Sequence, residues 1–167
     1  MKTAAVLALV ATVLGGADAF APIMASGRSA TALNSHFSVV QTKLMNKEHL
    51  MKALVDMGLS VNMSSNGEQV PVNGYKGETA NADIAIAQGN GHDIGFRHNG
   101  ETYELVSDLQ FWDQTVPVAF FLDKVHQGYS VNAILENSAA DGFNVDNMVK
   151  NTVDGTTTIQ LSRYNMA

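Results

Sequence analysis

From about Asn34 onward the chain alternates between two rhythms of apolar and polar residues. In "SHFSVVQTKL" (residues 35–44), Phe37, Val39 and Gln41 fall on one face at a spacing of two, which predicts a first strand. Asn46 then stands where a helix N-cap belongs, and Leu50, Met51, Leu54, Val55 and Met57 recur at helical spacing. Gly58 supplies the stop, so the pattern predicts a helix over residues 47–57. A polar connection follows, with a short extended piece near residues 69–72.

The clearest pattern lies in "ADIAIAQ", "HDIGFRH" and "ETYELVSDL", three strand-like runs joined by glycine-containing turns. A three-residue loop at Gly89–Asn90–Gly91 pairs Ile86 with Ile94 and Ile84 with Phe96, keeping the large apolar side chains together. Gly91 is then the left-handed residue of a bulge. A two-residue turn at Asn99–Gly100 would set Phe96 against Tyr103 and Ile94 against Leu105, again on that face. Ile84, Ile86, Ile94, Phe96, Tyr103 and Leu105 are therefore the expected sheet contribution to the core.

Pro117 suits the first turn of a helix, and Val118, Phe121, Leu122, Val125 and Tyr129 follow at its period. Past Gly128 the apolar phase moves to Val131, Ile134 and Leu135, so the helix either bends or restarts there. "FNVDNMVK" and "TTTIQLSRY" flank Asp154–Gly155 and predict a second hairpin. The order of elements is that of an α+β domain: a mostly antiparallel sheet around a central three-strand meander, with helices packed on one face.

The first 33 residues read differently. Lys2, the apolar run 4–14 and the small residues before Ala19 have the layout of a secretory signal peptide over residues 1–19. Residues 20–33, "FAPIMASGRSATAL", contain Arg28, are rich in Ala and Ser and have no acidic residue, as transit peptides do. The two segments in series resemble the bipartite presequence of algae whose plastids lie inside extra membranes, with Phe20 directly after the first cut. Residues 34–167 are the expected single domain, delivered to the plastid stroma. None of its segments is apolar for 18 residues, so no membrane span is expected.

Composition narrows the chemistry. There is no cysteine, which excludes disulfides, thiol nucleophiles and thiolate metal sites. Net charge is −6; residues 1–33 hold Lys2, Arg28 and Asp18, a net +1, which leaves −7 on the remainder. That balance opposes binding to nucleic acid or anionic lipid, because both require clustered Lys and Arg. The five histidines show no HxxxH or HExxH spacing, and His92 and His98 stand about 20 Å apart on an extended strand. No metal, cofactor or catalytic residue is assigned.

Candidate contact residues are few. Asp93 and Glu104 have the opposite parity to Ile94 and Leu105, so with Asp108 they are expected on the outer, solvated face of the meander, where carboxylates could hold a cation. "GYKG" (residues 74–77) could cradle an anion with Lys76, but it lacks a phosphate-loop frame; Tyr75 is expected to pack under the sheet. Trp112 is expected to be a core anchor whose ring N–H meets a backbone acceptor. Phe120 and Phe121 are neighbours on a helix and cannot both face one core, so Phe120 either turns outward or is buried against Trp112.

"SHFS", "LMKALVDMGL", "GYKG", "NGHDIGF", "YELVSDLQFW", "FLDKVHQGYS" and "GFNV" occur in this order over nearly all of residues 34–164. Through them the chain is similar to the hypothetical chloroplast reading frame 35 family, which carries domain of unknown function 1257. Two features depart from that pattern: His92 stands where the family has an aromatic residue, commonly tyrosine, and the loop after Gly58 is not basic. The resemblance implies residence in a plastid or cyanobacterium and brings no activity with it. The expected role is non-enzymatic: an accessory or assembly factor with a protein partner in the plastid. The alternative is a small enzyme or ligand-binding protein using the acidic sheet face or the "GYKG" loop.

Overall fold

A computed structural model describes residues 36–64, 66–151 and 155–163. The signal- and transit-like segments lie outside the described residues. Among the described residues, nine strands and two α-helices follow one another as β1 (Ser38–Leu44), α1 (Lys47–Asp56), β2 (Val61–Asn62), β3 (Val70–Asn73), β4 (Thr79–Ala82), β5 (Ile84–Ile86), β6 (Ile94–His98), β7 (Tyr103–Ser107), α2 (Val118–Ala140), β8 (Asn144–Lys150) and β9 (Thr157–Ser162). Five strands form an antiparallel sheet in the order β1-β7-β6-β5-β2, and β3-β4 and β8-β9 are separate hairpins. The architecture is α+β, with the meander β5-β6-β7 in the middle of the sheet.

One face of that sheet carries the main core. Ile84, Ile86, Ile94, Phe96, Tyr103 and Leu105 pack there against Leu50, Leu54, Phe121 and Val125 of the helices. Asn46 caps α1 through its side-chain oxygen, which accepts from the backbone N–H of Glu48 and His49 at 2.8 and 3.1 Å. Gly58 ends the helix at φ 79°, a conformation that costs glycine little. Trp112 donates its ring N–H to Val116 O at 2.8 Å and meets Phe121 edge-on.

Several expectations are corrected. Helix α2 runs on through Gly128 without restarting, and α1 packs closely there: a Cβ on Gly128 would sit 3.1 Å from Ala53 Cβ. The register of β5 with β6 is as expected, Ile84 with Phe96 and Ile86 with Ile94, but the strands stop early and residues 87–93 form a longer connection. The β6-β7 register is displaced by two: Phe96 faces Leu105, and Ile94 faces Ser107. Asn99 causes this by closing a four-residue turn, its N–H bonded to Thr102 O and its side-chain oxygen accepting from the N–H groups of Glu101 and Thr102. A slip of two conserves the face, so the core list survives. In β1 the inward set is Val40, Thr42 and Leu44, while Val39 is half-exposed and Phe37 joins the other side of the sheet.

That other side is not solvated. The β3-β4 hairpin lies across it as a third layer, burying Val70, Val72 and Ala82 against Ala85, with Phe37 alongside. Gly95 makes this approach possible, since a Cβ there would lie 2.6 Å from Val72 Cγ2 and 2.9 Å from Ala82 Cβ. The acidic residues expected on a solvated face are all buried: Asp93 bonds to Asn73 of the hairpin, Glu104 to Arg97 and Gln41 of the neighbouring strands, and Asp108 lies just past β7.

Candidate functional site

The sheet end formed by the start of β1, the end of β5, the start of β6 and the end of β7 gathers most of the distinctive side chains. Four rings make a column there. Tyr75, in a 3₁₀ turn between β3 and β4, stacks on Phe111 at 4.9 Å between centroids and 14° between planes. His92 stacks on Phe111 at 4.3 Å and 8°, and His36 meets Tyr75 edge-on at 5.5 Å. Tyr75, His92 and Phe111 are half-buried, and His36 is exposed. Tyr75 thus lies at the end of the sheet and not beneath it.

Backbone turns and amide side chains hold these rings in place. The 74–78 turn closes through Gly74 N–H to Glu78 O (2.7 Å) and Glu78 N–H to Tyr75 O (3.0 Å). Gly74 has no room for a side chain, because a Cβ would lie 2.6 Å from the Phe37 ring. Lys76, at φ 53°, turns its ammonium over the Tyr75 ring at 5.2 Å from the centroid. Asn90 donates to Phe111 O at 2.6 Å and accepts from His92 N–H at 3.0 Å. Buried Gln88 donates to His92 O at 2.8 Å and accepts from Asp113 N–H at 2.9 Å, tying the 87–93 connection to the segment after β7.

The carboxylates do structural work at this end and beside it. Asp93 accepts from the backbone N–H and side-chain amide of Asn73 at 2.9 and 2.6 Å, clamping the hairpin layer to β6. Glu104 takes Arg97 Nε and Nη2 on one oxygen at 2.9 and 2.6 Å and Gln41 Nε2 on the other at 2.8 Å, crossing three strands. Asp108 caps the short turn after β7 by accepting from Gln110 N–H at 3.1 Å; its second oxygen is buried and has no hydrogen-bond partner among the described residues. Among the described residues, no group of three His, Asp or Glu is arranged to hold a metal ion.

Of the six sequence-predicted contact residues, Tyr75, Lys76, Asp93 and Asp108 belong to this end of the molecule, while Glu104 is locked into the sheet. Phe120 stands on α2, one residue from the Trp112–Phe121 contact, and is 62% exposed, which decides between its two expected positions in favour of the outward one. Sequence reasoning missed Phe111, Gln88 and Asn90. Their signal was weak: three polar or aromatic residues in two loops, whose partnership depends on the β5-β6-β7 register.

A shallow groove of about 230 Å³ lies elsewhere, between α2 and the β8-β9 hairpin, lined by Ile134, Asn137, Ser138, Asp141, Phe143 and Leu161. Among the described residues, no helix is long and apolar enough to cross a membrane.

Residues 53–160 match the family described as "Protein of unknown function (DUF1257)". The chain is 42% identical over 109 residues to the uncharacterized protein ycf35 of Guillardia theta, covering 65% of this chain and 82% of that protein. It is 35% identical over 131 residues to the ycf35 protein of Pyropia yezoensis, covering 78% and 98%, and 38% identical over 109 residues to that of Cyanophora paradoxa, covering 65% and 82%. No solved structure matches. These relatives are plastid proteins of algae, and the chain belongs to their family, the ycf35 proteins that carry DUF1257.

Proposed function

We propose that the protein is a stromal accessory or assembly factor that works by binding a protein partner in the plastid, and that the aromatic end of the sheet is its contact surface. The observation that carries this reading is the half-exposed column Tyr75–Phe111–His92 with Lys76 and His36 at its margin. Pre-ordered rings with a polar rim are the usual make-up of an interface centre: they offer large apolar area and lose little side-chain entropy on contact. Phe120 adds a further outward ring on α2. The membership of a plastid family supports the location, and the signal-like and transit-like segments support the route.

The acidic face on which a ligand-binding alternative rested is occupied by the β3-β4 layer, with Asp93 and Glu104 bonded internally. That favours the surface over a cavity. The test compares wild type, Tyr75→Ala and Phe120→Glu in plastids, with folding checked by circular dichroism and association read on native gels. Folded variants that lose co-migration with a larger complex support the reading. Unchanged co-migration of both variants overturns it.

A further inference from the structure

We propose that the protein forms a two-fold dimer by pairing β8 with β8 of a second copy, in antiparallel register centred on Met148. All seven residues of β8 are exposed, including the large hydrophobics Val145, Met148 and Val149 at 49, 52 and 54%. Its hairpin partner behaves differently: β9 buries Thr157, Ile159 and Leu161 and shows no large hydrophobic to solvent. An edge strand of this length, without proline, is a template for another strand.

Backbone geometry restricts the possible registers. Asn151 N–H bonds to Thr156 O at 2.7 Å, and the β8-β9 ladder continues as Lys150–Thr157, Val149–Thr158 and Met148–Ile159. In an antiparallel ladder, bonded and non-bonded pairs alternate, so Met148 and Lys150 aim their N–H and C=O groups away from β9. A second strand must meet those groups. Placing Lys150 against Lys150 sets like charges together. Placing Met148 against Lys150 leaves Asp146 without a charged neighbour. Placing Met148 against Met148 brings Asp146 of each strand beside Lys150 of the other, twice by symmetry; Asp146 is the extra residue of a bulge between Val145 and Asn147, and its Oδ1 also accepts from Ser162 Oγ at 2.8 Å. This register puts Met148 and Val149 at the centre and opposite charges on both flanks, the arrangement of a self-complementary interface. The product is a continuous four-stranded sheet, β9-β8-β8-β9.

This dimer does not rest on the partner reading above, since it is measured on the purified full chain alone. Sedimentation velocity across a concentration series is expected to show a monomer–dimer equilibrium. Met148→Pro removes an outward N–H without touching the bonds to β9, and should give a monomer with an unchanged circular dichroism spectrum. Lys150→Glu should weaken association roughly tenfold, and Asp146→Lys combined with Lys150→Glu should restore it. A chain that stays monomeric up to roughly 100 μM overturns the proposal. So does a dimer that survives Met148→Pro, or a double variant no tighter than Lys150→Glu.

Discussion

Replacing Gly95 by alanine tests the three-layer packing. In most strands the change is favourable: glycine weakens a strand interior, and alanine recovers about 0.5–1 kcal/mol. Here the new methyl would lie 2.6 Å from Val72 Cγ2 and 2.9 Å from Ala82 Cβ, whereas carbon atoms at rest stand about 3.5–4.0 Å apart. The hairpin layer must lift by about 1 Å or distort. Overpacking of that kind costs about 1–3 kcal/mol, so after a backbone gain of about 0.5–1 kcal/mol Gly95→Ala should be net destabilising, by about 1 kcal/mol at the middle of both ranges. Urea unfolding at equilibrium reads this directly, with a lower midpoint and an unchanged slope. Val72→Ala supplies the second arm: it removes the atom that clashes, so it should cost less in the Gly95→Ala background than alone. Contacting residues couple by about 0.5–3 kcal/mol in such a cycle. A Gly95→Ala protein as stable as wild type, or strictly additive effects, would refute the packing of β3-β4 on the sheet.

Other expectations can be checked separately. Asp93→Ala leaves the Asn73 N–H and amide without their acceptor and should be destabilising by about 1–3 kcal/mol, with faster amide exchange in β3-β4 than in β6-β7. Burial lowers the His126 pKa from its ordinary value, assisted by Lys43 and opposed by Asp123. The unfolded chain then binds the proton first, so stability present above the ordinary imidazole range is lost as pH falls through it. His126→Gln should flatten that part of a stability–pH curve, and an unchanged slope would remove His126 from the account. Two cuts are expected in the N-terminal region, after Ala19 and between about residues 30 and 34; N-terminal sequencing of the plastid form decides this, and a chain beginning at Met1 or Phe20 counts against it.

What the sequence made legible follows from how local each signal is. Asn46 and Gly58 bracket α1 because caps act within one turn of the helix. The β5-β6 register could be worked out because, of a two-residue and a three-residue loop at Gly89–Gly91, only the longer keeps Ile84, Ile86, Ile94 and Phe96 on a single apolar face. Asn99 defeated the same arithmetic at the next turn, since its side chain closes a wider loop than Asn-Gly alone suggests. The hairpin layer left almost no trace: its inward set is Val70, Val72 and Ala82, too small and too few to read as a core face. "ADIAIAQ" also reads as one strand, although it belongs to two, broken at Asp83, whose carboxylate accepts from His98 N–H at 2.7 Å. Without that layer, the parity of Asp93 and Glu104 pointed to solvent. The ring column was equally hidden, because His36, Tyr75, His92 and Phe111 come from four separate segments.

The partner-binding claim is tested most directly by a photo-crosslinking amino acid placed at Lys76, beside the ring column, and at Lys52, on the exposed side of α1. Illumination in plastid extract, followed by mass spectrometry of the adducts, reads which protein each position touches. A discrete adduct with another plastid protein from position 76 and none from position 52 is the result expected of a contact surface at the aromatic end of the sheet. Adducts of the same kind from both positions, or none from position 76, would contradict it.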